Sequence, residues 1–91
     1  MTVYITGVHM EPSNAGDHEH IAGVRWEDTG NNTNNQCSRQ QMVDWINGGN
    51  VAWVRDGQGS VQVRVIDGYP PYLRTVADGR QTDNLLSLPR Y

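Results

Sequence analysis

Three histidines are spaced in a way that raises the question of metal chemistry. His18-Glu19-His20 opens a stretch rich in strand formers, and in a strand residues i and i+2 share a face. Both imidazoles would then approach one divalent ion, with His9 on the neighbouring strand as a third ligand. The ordinary alternative is a strand start with one histidine solvated and the other hydrogen-bonded at the sheet edge. A second group, Arg74, Asp78 and Asp83, brackets a glycine-containing turn, where carboxylates bind a cation or activate water. Against that reading, Asp78-Gly79 is a common turn pair, Asp83 a common helix N-cap, and Arg74 a ready partner for either acid. Cys37 is the third candidate. It directly precedes Ser38, which has the surroundings of a helix N-cap, and a helix N-terminus lowers a thiol pKa. A nucleophilic cysteine also needs a base, and all three histidines lie upstream of this polar stretch.

Other chemistry is excluded outright. No glycine cluster here is a strand-to-helix turn followed by Lys-Ser/Thr, and the chain has no lysine, so a Walker-type phosphate loop is ruled out. Tyr69-Pro70-Pro71-Tyr72 reads either as a rigid connection or as recognition surface, since exposed tyrosine beside proline makes good contact area. With Arg74 and Asp78 these tyrosines form the candidate partner-binding set.

The elements that must position these groups come from 91 residues, too few for two independent cores, so a single domain over 1–91 is expected. Ten glycines and 36% hydrophobic residues suit short strands and tight turns better than a helical bundle. A net charge of −3, with every basic residue an arginine, lacks the clustered positive charge of a nucleic-acid binder or of a protein docking on anionic lipid. A single cysteine forms no internal disulfide, no segment approaches a membrane span, and residues 1–10 read as a strand, not a secretion signal. A cytoplasmic protein is expected.

Along the chain, Thr2 to Met10 and His18 to Asp28 read as two strands, with His20, Ala22, Val24 and Trp26 on the more apolar face of the second. They echo each other as Ile5-Thr6-Gly7-Val8 and Ile21-Ala22-Gly23-Val24, with Gly7 and Gly23 marking bulges or close backbone approach. Thr29 to Cys37 has no apolar side chain but the cysteine and reads as a mobile loop. Ser38-Arg39-Gln40-Gln41 fits a capping box, opening a helix that runs to Asn47, buries Met42, Val43, Trp45 and Ile46, and stops at Gly48-Gly49. Val51 to Arg55 reads as a central strand covered on both faces. Asp56-Gly57-Gln58-Gly59 reads as a hairpin turn. Ser60 to Asp67 follows as a strand with Val61, Val63 and Val65 inward, and Tyr72 to Ala77 as a fifth. The tail places Leu85, Leu86 and Leu88 behind Asp83, a short helical turn serving as a latch on the core. Trp26, Trp45 and Trp53 are expected in that core.

Several of these stretches together resemble a known family. Tyr4-Ile5-Thr6-Gly7-Val8, His18-Glu19-His20-Ile21, Val24-Arg25-Trp26, Met42-Val43-Asp44-Trp45-Ile46, Arg74-Thr75, Asp78-Gly79 and Asp83-Asn84-Leu85-Leu86-Ser87-Leu88-Pro89 stand in its order. The resemblance is to a family of small bacterial and phage proteins known as domain of unknown function 3892. It implies a bacterial or phage origin and a stand-alone domain, and assigns no chemistry.

The expected architecture is α+β: a small, mainly antiparallel five-stranded sheet or half-barrel with one helix, ordered β-β-α-β-β-β, and a structured C-terminal tail. The expected function is a non-catalytic module that binds a protein partner or itself. The alternative is a small metal-dependent, hydrolase-like enzyme using His18, His20 and a carboxylate. No cofactor is predicted; a divalent metal enters only with the histidine reading.

Overall fold

Among the described residues seven strands form one mixed sheet. The computed structural model describes residues 2–56, 59–77 and 79–91, so Met1, Gly57, Gln58 and Asp78 lie outside the described residues. The strands are β1 Thr2–Met10, β2 Ile21–Asp28, β3 Thr33–Ser38, β4 Val51–Asp56, β5 Gly59–Ile66, β6 Tyr72–Ala77 and β7 Arg80–Thr82, with the helix α1 at Arg39–Asn47. Their order in the sheet is β3-β2-β1-β4-β5-β6-β7. Two 3-10 turns, His18–His20 and Leu85–Ser87, complete the chain. Five expected strands are thus seven, and the sheet is not wholly antiparallel. Thr2, Val3 and Tyr4 of β1 pair in parallel with Val51, Ala52 and Trp53 of β4. The chain between them, β2-β3-α1, is a long crossover, and such a crossover is what allows parallel neighbours. The sheet stays open, with β3 and β7 at its two edges.

The strand at Thr33–Ser38 corrects the expected loop. After the turn at Asp28–Asn32, held by the Gly30 N–H to Asp28 Oδ1 and by Asn32 at φ 58°, residues 33–38 run back along β2 in unbroken register. Backbone pairing alone makes this strand, because its side chains bury almost nothing. The strand expected from His18 begins only at Ile21; His18–His20 is instead a 3-10 turn. The β5 assignment holds, although only Val63 of its three inward valines is fully buried. The supposed hairpin turn at Asp56–Gly59 falls on Gly57 and Gln58, outside the described residues.

Local signals fixed α1. Ser38 Oγ accepts the Gln41 N–H at 3.1 Å and Gln41 Oε1 accepts the Ser38 N–H at 2.9 Å, a complete capping box. Gly49, at φ 103°, releases the chain at the other end. The helix packs against β2, β3, β5 and β6 on one face of the sheet. There Val3, Ile5, Val8 and Met10 of β1, Ile21 and Val24 of β2, Ala52 and Val54 of β4, Val63 and Leu73 meet Met42, Val43 and Leu85 in one core. β4 is central in the sheet but not equally covered: Ala52 and Val54 are buried while Val51 and Trp53 are half-exposed. The three tryptophans are likewise only half-buried. Trp26 and Trp45 flank the core, and Trp53 alternates to the other face.

The tail does what its leucines imply. Leu85 is 0% exposed, and Leu86 and Leu88 pack on the core. Beyond them the Val8 N–H donates to Pro89 O at 3.0 Å and the Tyr91 N–H to Val8 O at 3.1 Å. The tail therefore takes over the side of β1 that β4 borders only as far as Tyr4. Gly7 sits at the register shift, where a Cβ would stand 3.2 Å from Pro89 O. Gly23 has a comparable reason, since its Cβ would lie 2.9 Å from Cys37 O.

Candidate functional site

In a 3-10 turn successive side chains are about 120° apart, so i and i+2 no longer share a face. His18 accordingly turns inward, 6% exposed, while His20 is exposed and pairs with the Asp17 carboxylate. That pairing holds Asp17 below its ordinary value, chiefly through the hydrogen bond from His20. His9, on β1, bonds through Nδ1 to the Tyr91 carbonyl, and its ring lies 5.5 Å from that of Tyr91. The three histidines thus have three separate sets of partners. Among the described residues no three His, Cys, Asp or Glu side chains gather as a metal site. His18 Nε2 has no hydrogen-bond partner among the described residues, and it stands 3.9 Å from Asp83 Oδ1. Burial and the nearby Arg74 guanidinium push the His18 pKa down, only partly countered by Asp83 and Asp17.

Arg74 does meet one of its expected acids, with Nη2 2.9 Å from Asp83 Oδ1 and Nε donating to Thr82 O. Asp83 is consequently not a helix cap; Asn84 occupies that position without a side-chain cap bond. Thr75, fully buried, shares a hydroxyl hydrogen bond of 2.6 Å with Thr82, whose hydroxyl also donates to Asn84 Oδ1. These contacts fasten β6 to β7 and to the tail. Asp78, the remaining acid of the set, lies outside the described residues.

Tyr69 and Tyr72 sit elsewhere, beside His20, Glu19 and Arg39 in an open polar cleft of about 350 Å³. Tyr69 is fully exposed, and the Arg39 guanidinium donates to Glu19 O at 2.7 Å. The structure therefore groups Tyr69 and Tyr72 with His20, and Arg74 with His18 and Asp83.

Sequence reasoning missed the edge strand β3 and the pocket beside it. Val3, Trp26, Cys37, Gln41, Met42 and Trp45 line a mostly apolar pocket of about 210 Å³ between sheet and helix. The Cys37 thiol belongs to this wall, and burial pushes its pKa up, opposite to the activation a nucleophile requires. The backbone of β3 can be oriented from its neighbours. Val8 spends its N–H and C=O on the tail, so in the β1–β2 ladder its partner Val24 faces β3. Val24 pairs with Cys37, which puts the polar groups of Thr33, Asn35 and Cys37 toward β2 and those of Asn34, Gln36 and Ser38 outward. The side-chain bonds agree: the Gln36 N–H goes to Asn35 Oδ1 at 2.8 Å and the Ser38 N–H to Gln41 Oε1. No charged residue, proline or bulge guards this edge, the usual protections against strand addition. The missed signal was positional: six residues between a turn and a capping box, long enough to pair though not apolar.

Among the described residues no helix is long and apolar enough to cross a membrane. A family model described as "Protein of unknown function (DUF3892)" matches residues 4–89. No curated protein and no solved structure matches the chain.

Proposed function

We propose that this chain, which belongs to the DUF3892 family of proteins of unknown function, is a non-catalytic module that binds protein, a partner or another copy of itself, through the open edge of β3. The carrying observation is that edge: outward backbone groups of Asn34 and Gln36 in an uncharged strand, beside an apolar pocket at Trp26, Met42 and Trp45. Strand addition takes its affinity from main-chain bonds and its selectivity from neighbouring side-chain pockets. The acidic balance of the chain argues against nucleic acid as the partner. A cytoplasmic, bacterial or phage setting is part of this reading. The second surface in contention is the cleft at Tyr69 and Tyr72, with Arg74 and Asp78 as its expected neighbours in sequence.

The test compares proteins captured by the wild type, by Gln36→Pro and by Tyr69→Ala. Proline at 36 removes an outward N–H and leaves the β2–β3 ladder intact. Loss of specific partners in Gln36→Pro alone supports the β3 edge; loss in Tyr69→Ala alone moves the working surface to the cleft.

A metal-dependent, hydrolase-like reading on His18 and His20 with a carboxylate has one observation behind it, the Nε2 of buried His18, near Asp83 and without a hydrogen-bond partner among the described residues. Native mass spectrometry with added zinc decides it. A stoichiometric adduct lost in His18→Ala would favour the metal reading, and a metal-free spectrum would end it.

A further inference from the structure

The geometry points to a second copy of this chain as the occupant of the β3 edge, paired antiparallel about a two-fold axis with Asn35 opposite Asn35. The inference rests on the proposed edge-binding function and names its partner. The register follows from which groups are free to pair. The Ser38 N–H is committed to Gln41 in the capping box, and taking it would uncap α1. Asn34 and Gln36 remain. Pairing Asn34 of each copy with Gln36 of the other exchanges four backbone hydrogen bonds and leaves Ser38 alone. The two-fold axis is perpendicular to the sheet, so each face continues across the seam, and Cys37 falls opposite Thr33 of the other copy.

Side-chain chemistry selects a copy over a foreign strand. The Gln36 N–H is at present held by Asn35 Oδ1, so any added strand must first displace that amide. In the self-paired register the displaced Asn35 amide meets its own duplicate across the axis, in the close, non-hydrogen-bonded pair of an antiparallel ladder. A carboxamide carries both donor and acceptor and therefore complements itself. The six residues of β3 carry no charge, so joining two acidic chains here brings no like charges together across the seam. A strand with an apolar residue opposite Asn35 offers the released amide no bond in exchange and leaves it to solvent.

Sedimentation velocity over a range of concentrations tests this with the wild type, Asn35→Lys, Asn35→Asp and an equal mixture of the two variants. The wild type should form dimers. Each variant alone should dimerise at least about tenfold more weakly, because like charges meet on the axis, and the mixture should recover a heterodimer. The position-35 side chain is solvent-exposed, and circular dichroism verifies that both variants fold. A wild type that is monomeric at every concentration overturns the inference, as do variants that dimerise like the wild type. If neither the variants nor their mixture dimerise but Gln36→Pro also abolishes the wild-type dimer, the Asn35 register is overturned and the edge-binding reading stands. A wild-type dimer indifferent to Gln36→Pro overturns both.

Discussion

At its β7 end the sheet is finished by side chains; at its β3 end it is finished by almost nothing. β7 is three residues long, and the tail that follows ties it down through Arg74–Asp83, the Thr75–Thr82–Asn84 hydroxyl and amide bonds, and buried Leu85. β3 is twice as long and exposes all its side chains but Cys37, with only Asn35 and Gln41 bending back to occupy two of its outward N–H groups. Edge strands invite pairing with other chains unless they are short, charged, bulged or covered. One end of this sheet is short and tied to the tail, and the other is neither. The contrast separates the part of the molecule that holds the fold from the part available for contact.

The comparison breaks most easily at the closed end. Leu85→Ala, which empties a fully buried position joining tail and β1, should cost about 3 kcal/mol by chemical denaturation. A loss under about 1 kcal/mol would mean the tail is no latch. Thr75→Val keeps the shape of that fully buried side chain but removes one of the hydrogen-bond partners of Thr82, with an expected loss of about 1–2 kcal/mol. At the open end, Ser38→Ala removes the helix cap and should cost about 1 kcal/mol, since little else is anchored there. A loss as large as that of Leu85→Ala would erase the asymmetry.

The smallest effect expected is a dependence on pH. His18, buried where Asp17, Asp83 and Arg74 surround it, titrates below its ordinary 6.5 in the folded protein. The unfolded chain therefore binds the more protons as pH falls below 6.5. Stability from this residue is present in full above that pH and is lost progressively as pH drops toward the lower folded value. Urea midpoints between pH 7.5 and 5 should fall less in His18→Gln than in the wild type; parallel curves would show His18 to be indifferent.

Much of the core and of the helix was legible in the sequence. Leu85, Leu86 and Leu88 behind Asp83 announced a latch, Val61, Val63 and Val65 a strand, and Ser38 with Gln41 a helix start, because each is a local pattern with a local cause. β3 was not legible, since Thr-Asn-Asn-Gln-Cys-Ser carries no alternation and is a strand only because β2 lies beside it. The shared strand face expected of His18 and His20 fails for a related reason. Whether they share a face depends on a 3-10 turn rather than a strand, and their spacing alone does not distinguish the two. The parallel pairing of β1 with β4 is a property of the whole crossover and has no mark in either strand.

One consequence concerns time. β1 lies in the middle of the sheet, borders β4 for only three residues, and has Val8 satisfied by Pro89 and Tyr91. During synthesis that strand leaves the ribosome before the other strands of the sheet, yet its last backbone groups wait for residues made more than eighty positions later. Closing so wide a loop is slow relative to forming a helix or a hairpin. Until then a nascent chain carries an unfinished strand inside its sheet, and the strand made before the others is among the last to be protected.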